Sequence, residues 1–184
     1  MSEELVDVID DAGNTIRVVP RSLMRSERLP HRCVYLLVVN PRRELFIHQR
    51  TATKDVFPSY WDVCVGGVLA AGETFDEGAR REGGEELGVE VAPDPLFPFR
   101  YFDERTTVQA YVYLVRHPGP FHLQPEEVVQ GLFVGPEELR RRISTDHFCP
   151  DGLAVLDEVR RVQMAVAGVT APIGGEPRSH FLVF

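Results

Sequence analysis

The chain has 184 residues, 43% of them apolar, which suits a globular protein of one domain or of one domain with extensions. Its formal net charge of −8 argues against non-specific nucleic-acid binding, because that binding depends on Lys and Arg neutralising phosphates. The longest apolar run has only the length of a strand and the N-terminus is acidic, so we expect no membrane segment and no secretory signal, and we predict a cytoplasmic protein.

The first half of the chain is predicted to consist mainly of short strands. Alternating and β-branched segments predict strands, and clusters of Gly, Pro and polar residues predict the turns between them. The predicted elements are a hairpin of strands at 5–9 and 15–19, a polar stretch after Pro20 with room for one helical turn, and strands at 32–39, 44–50 and 61–65.

An acidic helix follows, predicted over residues 74–87. Thr74 is suited to cap its start, and Gly88 can adopt the left-handed conformation that ends a helix. The remaining predicted elements are strands at 97–102, 108–116 and 128–134 and helices at 136–143 and 151–163.

This mixture of short strands and a few helices predicts an α/β fold, an α/β/α sandwich around a central mixed sheet. We predict a single domain over residues 1–165, with an N-terminal β-hairpin extension over about residues 1–30. Residues 166–184 form a tail rich in Gly and Pro that shows no helical or strand periodicity.

The acidic helix carries a spacing typical of a metal site. Residues three and four apart are neighbours on a helix, so Glu82, Glu85 and Glu86 should point toward a common region. Their mutual repulsion is relieved by solvation or by a cation, and hard oxygen ligands suit Mg²⁺ or Mn²⁺. For such a short motif alone, an acidic solvated face is the simpler interpretation.

The surrounding residues favour the metal site. The pattern G-x5-E-x7-R-E-U-x-E-E-x-G-U, where U is aliphatic, is the signature of the Nudix family, and the chain resembles it at eight of nine positions. The matching residues are Gly67, Glu73, Arg81, Glu82, Glu85, Glu86, Gly88 and Val89. Gly83 departs from the expected aliphatic residue, and because glycine weakens a helix interior we interpret it as close packing against another backbone or as local softness.

The resemblance implies the layered Nudix fold and the hydrolysis of a diphosphate linkage by water with a divalent metal ion, Mg²⁺ or Mn²⁺. The substrate would be a small diphosphate, for example a nucleoside diphosphate derivative. A homodimer formed through the N-terminal region would be in keeping with the family. Tyr60, Trp61, Phe99 and Tyr101 are either aromatic contacts for a base or core residues.

The resemblance also implies roles for the matched residues. Glu82 and Glu86 are expected to be the principal metal ligands, with Glu85 as a third ligand or as the group nearest the water. The carbonyl of Gly67 is a further ligand candidate. Arg81 and Glu73 are expected to form a salt bridge that fixes the loop onto the helix.

A catalytic base is expected in many family members on a later loop. Glu126 and Glu127 occupy the loop before the strand at 128–134. Glu127 is either this base or a solvated loop charge. A base is identified by its geometry, which the sequence does not contain.

A second resemblance concerns residues 45–67, which look like the R-x3-K-x2-F/W-P-x2-W segment of isopentenyl-diphosphate isomerases, a branch with the Nudix fold. In that branch an Arg and a Lys hold the substrate diphosphate, and Arg50 and Lys54 occupy those positions here. Both are either phosphate ligands or ordinary surface charges.

The residues that perform isomerase chemistry are largely missing. Gly66 and Val68 stand where the branch has its Cys and a metal-binding His, Thr106 and Thr107 replace its acidic pair, and His31 alone matches one of its metal ligands. The sequence therefore favours a hydrolase over an isomerase or a non-catalytic ligand-sensing module. Cys33, Cys64 and Cys149 are odd in number and widely spaced, which favours free thiols.

Overall fold

A mixed β-sheet organises the computed structural model, which describes residues 3–169. Within this range the strands are β1 (Leu5–Ile9), β2 (Thr15–Pro20), β3 (His31–Val39), β4 (Leu45–Arg50), β5 (Trp61–Asp62), β6 (Asp94–Phe102), β7 (Thr107–Arg116) and β8 (Val128–Val134). The helices are α1 (Arg21–Glu27), α2 (Phe75–Leu87), α3 (Pro136–Thr145) and α4 (Pro150–Val169). Residues 170–184, most of the predicted tail, lie outside the described part of the chain.

Most predicted elements are confirmed to within two residues, with four differences. One is that β6 begins at Asp94, three residues before its predicted start. The prediction of a continuous strand at 61–65 is wrong, because the chain leaves β4 after Asp62 and crosses to β3, where Val65 and Val68 bridge to Leu36 and Cys33. Helix α1 has seven residues rather than one turn. Helix α4 continues to Val169, beyond its predicted end at 163.

The sheet is mixed because one of its pairings is parallel. Strand β3 pairs in parallel with β7 along its whole length, from His31 opposite Val108 to Val39 opposite Arg116. The other strand pairings, β1 with β2 and β3, β4 with β3, β5 and β8, and β6 with β7, are antiparallel.

The two faces of β3 contact different layers of the fold. Val34, Leu36 and Val38 pack with Ala79 and Leu87 of α2. The alternate residues Cys33, Tyr35 and Leu37 belong to the cluster that includes Met24 of α1, Leu139 of α3 and Val155 of α4. Because successive strand residues point to opposite faces, the sheet lies between helices and the predicted α/β/α sandwich is confirmed. No helix within residues 3–169 is long and apolar enough to cross a membrane.

The N-terminal hairpin supports the loop that precedes α2. The backbone N–H of Ala71 donates to the carbonyl of Leu5 at 2.8 Å. The buried carboxylate of Asp7 accepts from the N–H of Gly72 at 2.9 Å and from Arg32 at 2.5 Å. The hairpin therefore holds the loop that enters the acidic helix.

Candidate active site

Helix α2 begins and ends at the residues that local chemistry favours. The Thr74 side chain accepts from the N–H of Glu77, whose carboxylate accepts from the N–H of Thr74, forming a capping box. Gly88 ends the helix with φ of 64°, a left-handed conformation that glycine adopts without strain. The capping roles predicted for Thr74 and Gly88 are confirmed.

Gly83 permits close packing of α2 against the core. A Cβ atom at this position would lie 2.5 Å from Cγ2 of Val91 and 3.0 Å from Cδ2 of Leu36. At Gly84 the nearest atom would be the carbonyl oxygen of Val89, at 3.9 Å. The expectation of close packing is correct, but the contacts are apolar side chains and not another backbone.

Glu82 and Glu86 lie on the buried face of α2, and their residues are only 7% and 5% exposed. Burial raises the pKa of Glu82, although Arg81 opposes this effect. Burial raises the pKa of Glu86 still further, and the nearby charges of Glu82 and Glu127 add to the shift. The Oε2 atom of Glu86 is buried and has no hydrogen-bond partner among residues 3–169.

Gly67 lies directly against the Glu82 carboxylate. A Cβ atom on Gly67 would lie 2.7 Å from Oε1 and 2.9 Å from Oε2 of Glu82. The carbonyl of Gly67 accepts from the N–H of Val34 at 3.0 Å, which leaves its second lone pair available. The absence of a side chain at Gly67 therefore lets the loop backbone approach the helical glutamate.

Arg81 joins the loop to the helix through several hydrogen bonds. Its guanidinium donates to both carboxylate oxygens of Glu73 at 2.8 Å, and it also donates to the carbonyl of Val68 at 3.3 Å. It reaches Glu82 at 2.9 Å and Glu85 at 3.1 Å. The bidentate bond with Arg81 and the N–H of Ala70 lower the pKa of Glu73 despite its desolvation. The structure thus contains the ion pair expected of Arg81 and Glu73.

Glu85 differs from the other two glutamates. Its side chain is 56% exposed and is paired with Arg81. Within residues 3–169, no three Asp, Glu, His or Cys side chains are grouped closely enough to hold a metal ion by themselves. The protein thus offers two buried carboxylates, while Glu85 lies at the exposed edge of the pair.

Lys54 and Glu127 form a direct ion pair, with the Lys54 Nζ atom 2.5 Å from Oε2 of Glu127. This contact lowers the pKa of Glu127 in spite of its partial burial. Arg50 lies 4.0 Å from Asp62 and donates to the carbonyl of Val56. Both cations are therefore largely buried and engaged with protein groups, and neither is a free surface charge.

One cavity of about 480 Å³ connects these groups, a volume within the range of small-molecule sites. Most of the residues singled out in the sequence line it, namely Arg50, Lys54, Gly67, Arg81, Glu82, Glu85, Glu86 and Glu127. Glu73 does not line the cavity, and it is connected to the cavity through its ion pair with Arg81. The structure thus brings together residues separated by up to 77 positions in the chain.

Sequence reasoning missed other residues that line the same cavity. Arg21 and Arg25 of α1 contribute two cations, and their spacing of four residues within a polar stretch was the available signal. The aromatic lining residues are Tyr35 and Phe57. The four aromatic residues considered from the sequence, Tyr60, Trp61, Phe99 and Tyr101, do not line it. Trp61 instead packs under the guanidinium of Arg142, 5.0 Å from its ring centroid.

Comparison with known proteins gives consistent matches. A family model described as the NUDIX domain matches residues 29–151. An uncharacterized Nudix hydrolase of Streptomyces coelicolor is 38% identical over 162 residues, covering 86% of this chain and 90% of that protein. The uncharacterized Nudix hydrolase YfcD of Escherichia coli K12 is 35% identical over 156 residues, covering 84% of this chain and 86% of that protein. The crystal structure of DR0079 from Deinococcus radiodurans aligns with a TM-score of 0.73 at 30% identity, covering 86% of this chain and 98% of that protein.

Proposed function

Because this chain belongs to the Nudix hydrolase family, whose members hydrolyse pyrophosphate linkages, we propose that its substrate is a nucleoside diphosphate derivative or a similar small diphosphate. The reaction adds water to one phosphorus and breaks the P–O bond of the anhydride, releasing two phosphate products. The cavity beside Glu82 and Glu86 supports this proposal, because it joins an acidic wall to several cations.

Nudix hydrolases generally use divalent metal ions, and the acidic wall fits such an ion. The donor set is all oxygen, and Oε2 of Glu86 is buried without a partner, a cost that a cation would remove. Glu82 and Glu86 would hold the ion, with the Gly67 carbonyl and Glu85 as further ligands. Mg²⁺ usually binds one or two protein carboxylates and completes its shell with water and substrate phosphate, so two buried carboxylates suffice. Mg²⁺ or Mn²⁺, when bound, would withdraw charge from the phosphate oxygens and assist the attacking water.

The other residues have complementary roles in this proposal. Arg50 and Lys54 hold phosphate oxygens by charge-assisted hydrogen bonds. Glu127, next to Lys54, accepts the proton of the attacking water, since its pKa is low enough for it to be ionised at neutral pH. Arg81 and Glu73 fix the loop that carries Gly67 against Glu82.

The single observation that carries the proposal is the buried pair Glu82 and Glu86, in which one oxygen of Glu86 lacks a partner. Two carboxylates four residues apart on a buried helix face repel each other and are costly without a cation. A purely structural helix would place apolar residues there.

The test is a hydrolysis assay over a panel of nucleoside diphosphate derivatives with titrated Mg²⁺ and Mn²⁺. We expect metal-dependent release of a nucleoside monophosphate, and we expect Glu82→Gln to lower kcat by orders of magnitude while the circular dichroism spectrum is unchanged. An unchanged rate in Glu82→Gln would remove this residue as a ligand. Inactivity across the panel together with tight ligand binding would favour a ligand-sensing module.

The likeness to the isomerase branch is also part of the proposal. The positions of Arg50 and Lys54 in the cavity support a similar diphosphate cradle. An isomerase reaction has less support, because burial raises the pKa of Cys64 well above its ordinary value and keeps the thiol protonated. Conversion of isopentenyl diphosphate, followed by NMR, tests this alternative, and substantial turnover would replace the hydrolase assignment.

Location and assembly remain predictions. The thiols of Cys33, Cys64 and Cys149 are free, which supports a reducing compartment such as the cytoplasm. A homodimer is tested by light scattering of the purified protein.

A further inference from the structure

The cavity has a second wall that the proposed hydrolysis does not use. On β3, His31, Cys33 and Tyr35 alternate and therefore face the same side of the sheet. They line the cavity together with Asp62, from β5, and Asp151, from the first turn of α4. This inner wall lies on the face of β3 opposite to the one that packs against α2.

The cavity lining, which includes the inner wall, contains several polar atoms that have no partner. Within residues 3–169, six buried side-chain atoms lack a hydrogen bond, and His31 Nε2, Thr106 Oγ1 and Asp151 Oδ1 are among them. All three residues line this cavity. A buried polar atom without a partner costs about 1–3 kcal/mol, so these three, in addition to Oε2 of Glu86 in the same cavity, indicate a polar occupant.

Two of the three atoms are hydrogen-bond acceptors. The His31 residue is 1% exposed, and its Nδ1–H donates to the carbonyl of Leu29 at 2.8 Å, so Nε2 is the acceptor nitrogen. Burial lowers the pKa of His31 to about 4, which keeps the ring neutral at pH 7. The Tyr35 hydroxyl donates to Oδ2 of Asp151 at 3.0 Å, which fixes the carboxylate and leaves Oδ1 free to accept.

Resting on the proposed function, we propose that the inner wall selects a diphosphate whose organic group is an aromatic base bearing an amino substituent. Asp151 Oδ1, in the carboxylate that Tyr35 holds, accepts a hydrogen bond from the amino group. His31 Nε2 is a separate acceptor on the same wall. Tyr35 and Phe57, the aromatic residues of the cavity lining, provide flat apolar surface for the ring. An oxo group beside Asp151 would face a carboxylate oxygen that cannot donate to it.

The test compares substrates that differ in this substituent and in the hydrogen on the adjacent ring nitrogen. ADP is paired with IDP, and CDP with UDP, and kcat and KM are measured for each. We expect the amino member of each pair to have a kcat/KM at least about tenfold higher, because a site built for a donor rejects analogues that lack it. Equal values within both pairs would overturn the inference while leaving diphosphate hydrolysis intact.

Variants assign the effect to the inner wall. Asp151→Asn should raise KM for the amino substrates by about tenfold, leave kcat within about twofold and reduce the preference for amino over oxo substrates, since an amide can donate to an oxo group. Asp157→Asn, which removes a 75% exposed carboxylate from the same helix, is the matched control and should keep the preference. Tyr35→Phe, which removes the hydrogen bond that fixes the Asp151 carboxylate, should raise KM for the amino substrates without changing kcat, and it serves where Asp151→Asn does not fold.

Binding separates this inference from the proposed reaction. Calorimetry with the Glu82→Gln protein should give an ADP dissociation constant at least about tenfold below that of IDP. Selective binding without hydrolysis in the native protein would remove the proposed function and support the inner wall. Hydrolysis together with equal binding of ADP and IDP would support the proposed function and overturn the inference about the inner wall.

Discussion

Gly67 and Glu82 are so close that a methyl group on the glycine would lie 2.7 Å from a carboxylate oxygen. The atoms displaced by such a methyl group are at the end of a flexible side chain, so the protein could accommodate it by moving the Glu82 carboxylate. The cost would then fall on the geometry of the acidic wall more than on folding.

Gly67→Ala should therefore lower kcat by at least about tenfold while changing the free energy of unfolding by less than about 1 kcal/mol. The measurements are steady-state hydrolysis with saturating metal and urea unfolding of the same preparation. Full activity in this variant would show that the position of the Glu82 carboxylate is not important for the reaction.

The adjacent glycines of α2 should respond in opposite ways to the same substitution. Gly83→Ala places a methyl group against Val91 and Leu36 and should lower the free energy of unfolding by about 1–3 kcal/mol. Gly84→Ala places a methyl group in ordinary van der Waals contact with the Val89 carbonyl and should raise it by up to about 1 kcal/mol, because alanine favours the helix. Urea unfolding of both variants measures the difference, and equal effects would contradict the packing role of Gly83.

The pair Lys54 and Glu127 allows a double-mutant cycle. Glu127→Gln should lower kcat at least about tenfold, since an amide accepts no proton from water, whereas Lys54→Met should mainly raise KM. Because the two groups are 2.5 Å apart, the effects on kcat/KM should couple by about 0.5–3 kcal/mol. If Glu127 only orients Lys54, Glu127→Gln will raise KM and leave kcat unchanged.

His48 should make folding sensitive to acid. It is 2% exposed and burial lowers its pKa to about 3, whereas an unfolded His has a pKa of about 6.5. The unfolded chain therefore binds a proton at His48 that the native chain excludes, so the contribution of His48 lowers stability as pH drops below about 6.5, by about 2 kcal/mol at pH 5.

His48→Gln removes this titration and should show a correspondingly smaller loss of stability between pH 7 and pH 5. The free energy of unfolding from urea denaturation at each pH is the measurement. Identical losses in the variant and the native protein would show that His48 does not contribute to the acid sensitivity.

The elements of the fold could be predicted largely from local sequence patterns. Strand β8 and the capping of α2 follow from alternation and from Thr74 and Gly88, because these signals act within a few residues. The strand predicted at 61–65 fails because its first two residues pair with β4 and its last residue, Val65, bridges to β3. Such a change depends on contacts distant in sequence, which local patterns do not contain.

The sequence by itself determined the helix with Glu82, Glu85 and Glu86 and the glycine that precedes it, since their spacing is a local property. Only the tertiary structure decided that Glu82 and Glu86 are buried while Glu85 is exposed, because burial depends on which helix face packs against β3. The same holds for the inner wall, where His31 and Asp151 meet one cavity although 120 positions separate them. Hydrogen bonding and burial of such groups arise from chain packing, and spacing along the sequence cannot specify them.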